Sequence, residues 1–267
     1  MPKKLLLTSF LTLMIVFAAL AYAQDATPPL AAPREATPVV AQQVEPPAGT
    51  VKAIVVKSWG DNPVWADLTT NWSTYGKIRV SIDHTTLIRN DFTYTDLVNS
   101  RAKVIILSDV AGGNQQYSSA EFAAIVKYAK KGHPVLGTYA AFYNPNGSVD
   151  DRRLAPVFGL KASLSYGFIG ITNSFKKDAK GCLLNKIRGS SWQSNGYNQS
   201  QLPSSGTWTG NLGKAKAQAD SDAFMGVVSL YKATTYTGIY ISNMPEYQNV
   251  GGPDEQLLYN AITCYVK

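Results

Sequence analysis

Apolar runs alternate with stretches of helical pattern through much of the first half of the chain. Val51–Val56 and residues 103–107 are apolar, β-branched runs typical of buried strands, and residues 77–82 alternate polar and apolar positions. Residues 64–75 and 92–98 lie between these strands and have the pattern of helices. Strands that alternate with helices predict an α/β three-layer sandwich with a mostly parallel central sheet.

The clearest helix signal begins at Ser118. Ser118 and Glu121 fit a capping box, in which each side chain binds a free backbone N–H at the helix start. Four apolar residues at helical spacing then predict one buried face. They are Phe122, Ile125, Val126 and Ala129. Gly132 ends the predicted helix, and Pro134 opens the next strand.

The second half of the chain lacks this alternation, and it predicts a partly antiparallel strand region. The predicted strands span residues 167–172, 214–219, 225–231 and 237–242. Residues 174–212, rich in Ser, Asn, Gly and Gln, are predicted to be a polar insertion. Trp192, Tyr197 and Trp208 are scattered through it. These rings suit stacking on sugars, although aromatic residues in a long loop more often anchor it to its own domain. Pro253 opens the predicted terminal helix.

The amino-terminal residues predict export. Lys3 and Lys4 precede an almost unbroken apolar run over residues 5–20, and a small-residue cleavage site ends at Ala23. This order is typical of a secretory signal peptide over residues 1–23. A single transmembrane anchor is the alternative, although the run is short for a membrane span.

A tether and one folded domain are predicted to follow the signal. Residues 24–49 hold six prolines, and such a composition cannot bury enough apolar surface to offset its ordering entropy. Residues 50–267 are predicted to form a single domain. The expected location is the periplasm or the cell exterior, with no membrane span after cleavage of the signal.

The charge and the cysteine content limit the partners, the disulfide bonds and the metal sites that we expect for this chain. The formal net charge is +7, and the charges look scattered along the chain, so we expect a solvated surface and no nucleic-acid partner. A disulfide between Cys182 and Cys264 is permitted in an exported chain. The alternative is that Cys264 is a buried small residue. Neither cysteine has the spacing of a metal ligand, and with only two histidines we expect no metal and no cofactor.

Three motifs in order resemble the class I glutamine amidotransferase-like superfamily, which also holds trehalose-utilisation-type proteins. The strand at 103–107 leads to Gly112-Gly113, and Gly137-Thr138-Tyr139-Ala140-Ala141 stands where the family has its nucleophile elbow. A late strand ends in Met244-Pro245-Glu246, where the family has His-Pro-Glu. The resemblance spans about residues 51–267, without a match over 174–220. It implies a flavodoxin-like topology, with an oxyanion-hole N–H in the Gly-Gly loop.

The triad that the resemblance implies is degenerate in this chain. The family's Cys maps to Tyr139, its His maps to Met244, and only the acid remains, as Glu246. A phenol with a pKa near 10 is a poor substitute for a thiolate, and a thioether cannot accept a proton. We therefore predict no catalytic residues for glutamine hydrolysis by the family mechanism.

The predicted pocket lies at the carboxyl ends of the parallel strands, where α/β folds bind ligands. Its candidate residues are Trp59, Asp109, Gly112, Gly113, Tyr139 and Glu246. The favoured function is an exported protein that binds a small polar ligand or a protein partner there. One alternative is a carbohydrate-acting hydrolase or isomerase of the trehalose-utilisation type, with Asp109, Tyr139 and Glu246 as acids and bases. A second alternative is a structural protein-interaction module that uses the aromatic insertion.

Overall fold

Nine strands and five helices are present among the residues that the computed structural model describes. Those residues are 49–58, 63–88, 90–108, 117–138, 141, 153–160, 174–177, 180–194, 213–221, 227–246 and 251–266. The strands are β1 (Val51–Val56), β2 (Val80–Leu87), β3 (Val104–Leu107), β4 (Val135–Gly137), β5 (Ser174–Lys177), β6 (Ser191–Gln193), β7 (Lys216–Ser221), β8 (Val228–Lys232) and β9 (Thr237–Ile241). The helices are α1 (Pro63–Thr70), α2 (Trp72–Tyr75), α3 (Tyr94–Asn99), α4 (Ser119–Lys130) and α5 (Gly252–Thr263).

All nine strands form one mixed sheet in the order β2-β1-β3-β4-β9-β8-β7-β5-β6. The first five in this order are parallel, and they have the strand order of a flavodoxin-like fold. The last four are antiparallel to their neighbours and extend the sheet beyond β9. The predicted α/β fold with a mostly parallel sheet and an added antiparallel region is therefore confirmed.

The core lies on both faces of the parallel strands. All four residues of β3 are 0% exposed, as are Val135 and Leu136 of β4. Helices α1, α2 and α5 contact one another, and α3 contacts α4. A strand covered by helices on both faces needs apolar side chains at every position, which explains its continuous apolar run. Among the described helices, none is both long and apolar enough to cross a membrane.

The first predicted helix and the strand after it differ from the structure. Residues 64–75 form two helices, α1 and α2, which are separated at Asn71. The strand predicted at residues 77–82 begins instead at Val80 and continues to Leu87. Because β2 lies at the edge of the sheet, its outer half is polar, and this polarity hid its true length. The strand predicted at residues 167–172 lies outside the described residues.

The capping box of α4 is confirmed. The backbone N–H of Ser118 donates to Glu121 Oε2 at 2.8 Å, and the Glu121 N–H donates to Ser118 Oγ at 3.2 Å. The buried face is rotated from the predicted one, because Tyr128 turns inward and donates to the carbonyl of Ala102 at 2.5 Å. The buried apolar residues of α4 are Ala124, Ile125, Tyr128 and Ala129, while Phe122 and Val126 are only partly buried.

Two strands lie within the stretch that was predicted to be a polar insertion. β5 and β6 pair with each other, and Phe175 meets Trp192 edge to face with ring centroids 5.4 Å apart. Trp192 is buried, so this aromatic residue anchors the insertion to its own domain. The propensity of three or four residues is too weak to predict such strands from sequence. Tyr197 and Trp208 lie outside the described residues.

A disulfide joins Cys182 to Cys264, so Cys264 is not a free buried thiol. The bond links a 3-10 turn, Cys182–Leu184, to the residue that follows α5. Asn260 of α5 adds two hydrogen bonds to the same segment, from its Nδ2 to the carbonyls of Leu183 at 2.9 Å and Asn185 at 2.7 Å. The segment between β5 and β6 is therefore fixed at the end of α5.

Gly238 in β9 allows the backbone of a 3-10 turn, Ala155–Phe158, to lie directly against the sheet. A Cβ at position 238 would lie 2.5 Å from the carbonyl oxygen of Val157 and 3.0 Å from Phe158 Cα. We expect Gly238→Ala to lower the free energy of unfolding by about 1 to 3 kcal/mol, measured by denaturant titration, because backbone atoms cannot move aside cheaply. Gly181→Ala is the control, since nothing lies within 4 Å of its added methyl group. Equal stability of the two variants would contradict the close approach.

Candidate functional site

Four buried hydroxyl residues mark the carboxyl ends of four adjacent parallel strands. Ser58 follows β1, Ser108 follows β3, Thr138 follows β4 and Ser242 follows β9. Each of these residues is 0% exposed. Neighbouring strands lie about 4.8 Å apart, so the four residues follow one another along a single edge of the sheet. We call these four residues the hydroxyl row.

Glu246 lies against the middle of the hydroxyl row. Its Oε1 accepts a hydrogen bond from Ser108 Oγ at 2.5 Å and a second one from Thr138 Oγ1. The residue is 0% exposed. A buried carboxylate needs such donors, because removing its charge from water is costly unless it is hydrogen-bonded. Glu246 therefore lies between the ends of β3 and β4.

Met244 is the residue that the resemblance predicts at the place of the family's histidine. Its side chain is 3% exposed, two residues before Glu246 and three after the end of β9. A thioether neither donates nor accepts a proton in acid–base chemistry. This position therefore cannot supply a general base next to Glu246.

Three buried oxygens along the same edge make no hydrogen bond within the part of the chain that the structure describes. They are Ser58 Oγ, Ser242 Oγ and Asn243 Oδ1. A buried polar group without a partner costs about 1 to 3 kcal/mol. In native proteins such groups usually meet a ligand, an ion or a water molecule. The edge therefore offers hydrogen-bonding capacity that the described residues do not use.

A second buried network ties the insertion to this edge. Asn243 Nδ2 donates to Ser194 Oγ at 2.6 Å, and Ser194 Oγ donates to Asp254 Oδ2 at 2.8 Å. Trp192 Nε1 donates to the other oxygen of Asp254 at 3.2 Å. Since Asp254 lies in the first turn of α5, its charge also complements the helix dipole. The network fixes the end of β9 relative to β6 and α5.

Lys57 forms two ion pairs at the carboxyl end of β1, one with the exposed Asp91 and one with the buried Glu121. Its Nζ lies 2.6 Å from Asp91 Oδ1 and 3.0 Å from Glu121 Oε1. Burial on its own would lower the pKa of Lys57, but the hydrogen bonds to these two carboxylates raise it above the usual value. Lys57 also has a left-handed backbone, with φ of 43°. Such strain is common at ligand-binding edges, and here the ion pairs hold it in place.

A separate acidic cluster lies between α1, α2 and α5. Glu255 is 0% exposed, and its Oε2 accepts a hydrogen bond from the backbone N–H of Gly251. Burial, followed by the hydrogen-bonded carboxyl group of Asp67, raises the pKa of Glu255 to about 7. Tyr75 donates to Asp67 at 3.3 Å, and burial raises the pKa of its phenol well above the usual value. Glu255 therefore carries a proton more readily than an ordinary carboxyl group.

The structure places one of the six candidate pocket residues, Glu246. The others, Trp59, Asp109, Gly112, Gly113 and Tyr139, lie outside the described residues, and their roles stay predictions. Among the residues that the structure does describe, no group of three His, Cys, Asp or Glu side chains could hold a metal ion.

The hydroxyl row was not predicted from the sequence, although the sequence holds a signal for it. A Ser or Thr ends or closely follows each of four predicted apolar strands, at Ser58, Ser108, Thr138 and Ser242. One such residue is ordinary turn chemistry. Four of them become informative only when the strand order brings them to one edge.

Solved structures share the fold of this chain. The cytoplasmic protein STM3548 from Salmonella typhimurium is 13% identical, with 81% of this chain and 99% of that chain covered and a TM-score of 0.51. A ThuA-like protein from Bacteroides uniformis is 14% identical over 82% of this chain and 93% of its own, with a TM-score of 0.49. A GMP synthase-like protein from Thermoplasma acidophilum is 15% identical over 79% and 92%, also with a TM-score of 0.49.

No family model matches the sequence, and no curated protein matches it either. At identities this low the likenesses show no more than the fold. The strand order and the likeness to the Salmonella protein agree that the chain has an α/β, flavodoxin-like fold, whose sheet is extended by antiparallel strands.

Proposed function

We propose that this protein is an exported, non-glutaminase binding protein that takes a small polar ligand at the carboxyl ends of its parallel strands. The observation that carries the proposal is the buried edge formed by Glu246 and the hydroxyl row. Glu246 is held by hydroxyls from two strands, and the flanking strands present unused oxygens at Ser58 and Ser242. Because these groups are buried, they suit a small molecule better than the flat surface of a protein partner.

The absence of glutamine hydrolysis is part of the proposal. The mechanism of the family that this chain resembles needs a nucleophile, a base and an orienting acid. Met244 stands at the position of the base and is buried, and the sequence has Tyr139 at the position of the nucleophile. The remaining acid, Glu246, fits a role in hydrogen-bonding a ligand.

A thermal-shift screen of the chain from Gln24 onward tests the proposal against sugars, amino acids, nucleotides and cell-wall fragments. A ligand present at 100 times its dissociation constant should add about 2.7 kcal/mol of stability. Any compound that stabilises the protein is then tested for turnover, with Glu246→Gln as the variant. Turnover that this variant loses without unfolding would favour the carbohydrate-acting enzyme. If no compound stabilises the protein, the result would favour the protein-interaction module.

We expect ligand binding to need the hydroxyl group of Ser242 but not a comparable hydroxyl group at the opposite edge of the sheet. We expect Ser242→Ala to weaken binding by about tenfold, the effect of one lost hydrogen bond of about 1.4 kcal/mol. Thr50→Val is the matched control, because Thr50 Oγ1 is also buried and has no hydrogen bond with any described residue, but lies at the amino end of β1. Isothermal titration with the screened compound measures both. Equal losses in the two variants would place the ligand elsewhere.

A further inference from the structure

The exposed cations gather at the edge of the sheet opposite the hydroxyl row. The parallel strands and β7 begin at this edge and β8 ends there, so the connections before β2, β3, β4 and β7 and after β8 meet at it. The connection between β5 and β6 reaches the same edge through the disulfide of Cys182 to Cys264, which lies beside Lys232 at the end of β8. We call it the amino edge. Its Lys and Arg residues are Lys77, Arg79, Arg101, Lys103, Lys130, Lys131, Lys180, Lys186, Arg188, Lys214, Lys216 and Lys232. Every one of them is exposed.

Acidic side chains are absent from the described parts of these connections. The stretches concerned are residues 75–79, 98–103, 129–134, 180–190, 213–216 and 232–237. Acids lie instead at the starts of α3, α4 and α5, at Asp96, Glu121 and Asp254. Charges that look scattered along the sequence are therefore sorted by the topology, with a broad positive field at the amino edge.

Helix capping explains only a few of these cations. Lys130 and Lys131 lie at the end of α4, where a positive charge complements the helix dipole. Lys180 and Lys214 belong to connections between strands, and Lys216 is the first residue of β7. The ammonium groups of these three residues have no ion pair or hydrogen bond with any residue that the structure describes. Their charge is therefore available to a partner.

The same edge holds both of the large apolar side chains that are exposed among the described residues. Ile78 is 40% exposed and lies between Lys77 and Arg79, and Val98 is 46% exposed and lies three residues before Arg101. Aliphatic side chains among cations gain little from a soluble polyanion. They do fit the boundary between lipid headgroups and acyl chains.

Two further features of the amino edge agree with a lipid surface. A pocket of about 340 Å³ opens on it, and its lining includes Lys232, Tyr236 and Tyr265. Tyrosine has an apolar body and a polar tip, which suits an interface between water and lipid. The chain also enters the domain at this edge, since Gly49 lies just before β1, so the predicted tether is joined to the same side of the sheet.

We propose that the amino edge is a docking surface for an anionic lipid membrane. The cations attract the negative headgroups, and Ile78 and Val98 insert among them. This orientation turns the hydroxyl row and Glu246 away from the membrane, toward soluble ligand. The proposal rests on charge and topology at the amino edge, and it stands whether or not the carboxyl edge binds a small molecule.

Vesicle co-sedimentation tests the docking surface. The chain from Gln24 onward is used because it keeps every described residue and because Glu45–Lys267 form one compact unit. We expect binding to vesicles of phosphatidylcholine mixed with phosphatidylglycerol, little binding to phosphatidylcholine alone, and loss of binding at high salt. Binding to duplex DNA or inorganic polyphosphate but not to anionic vesicles would overturn the membrane as the partner, and so would binding to none of these.

Paired variants locate the surface. Each cation near an anionic membrane contributes about fivefold to binding, so Lys214→Gln with Lys216→Gln should weaken vesicle binding by about 25-fold. Arg153→Gln with Lys176→Gln is the control, because these two exposed cations lie outside the amino edge: Arg153 bonds to Tyr117 and Ser119 at the start of α4, and Lys176 pairs with Asp220 near the carboxyl end of β7. Equal losses from the two pairs would overturn the assignment.

Ile78→Ser separates a membrane from a soluble polyanion. We expect it to weaken vesicle binding severalfold without changing the salt dependence. Unchanged vesicle binding in a folded Ile78→Ser variant would refute insertion at this edge. Thermal melting of each variant confirms the fold, since all the substituted residues are exposed.

Discussion

Replacing both cysteines, as Cys182→Ser with Cys264→Ser, should lower the free energy of unfolding by about 4 kcal/mol. The bond connects residues 82 positions apart, and the chain-entropy model gives about 4 to 5 kcal/mol for a loop of this length. In a domain of roughly 220 residues, such a loss lowers the melting temperature by about 10 °C. Calorimetry of the oxidised protein and of the double variant measures the difference.

Reduction provides the control for this result. A reductant should lower the melting temperature of the unsubstituted protein to that of the double variant, and it should leave the variant unchanged. The chain has only two cysteines, so the unfolded, unreduced protein should show no reactive thiol. A melting temperature that is indifferent to reductant would contradict a stabilising bond. Local fixation by Asn260 predicts that the reduced protein still folds at moderate temperature.

Glu255 should make the protein less stable as the pH rises from about 5 to about 8. Its pKa is about 7 in the folded state, against 4.5 for an ordinary glutamate side chain, so the folded state binds the proton more tightly. The stabilisation is complete below the unfolded pKa and is lost as the pH rises through the folded one. A difference of this size corresponds to about 3 kcal/mol. Denaturant titrations at the two ends of the pH range measure it.

Two substitutions isolate this titration. Glu255→Gln keeps the shape of the side chain without a titrating group, so the difference in stability between it and the unsubstituted protein should change by about 3 kcal/mol over the same pH range. Asp67→Asn removes the neighbouring carboxyl group and should give a smaller pH dependence. If the Glu255→Gln variant kept the full pH dependence, another group would have to be responsible.

The sequence was sufficient for the fold because the parallel strands are buried on both faces. Val51–Val56 and the strand around Ile105 are apolar at nearly every position. This pattern can be recognised in the sequence without knowing which strands lie beside them. Short or edge strands were less predictable. β5 and β6 are stabilised by pairing and by the contact of Phe175 with Trp192, neither of which is visible in three or four residues.

Only the residue of the candidate site that belongs to a recognised motif could be predicted from the sequence. Glu246 came from the resemblance, whereas Ser108 and Thr138 could not be connected to it, because they are 138 and 108 residues away in the chain. Their contact depends on β9 lying beside β4, which no local pattern encodes. The amino edge was hidden for the same reason, since Lys77, Lys130 and Lys214 come to one edge only in the folded sheet.

The position of β9 also governs when the domain can fold. β9 lies between β4 and β8, and its pairing of Gly238 with Val135 joins residues more than a hundred positions apart. A chain that emerges amino end first cannot complete its central sheet until residue 241 is available. Contacts of such high sequence separation slow folding. Under the export that we propose, most of the chain would pass through a membrane channel before the native sheet could close.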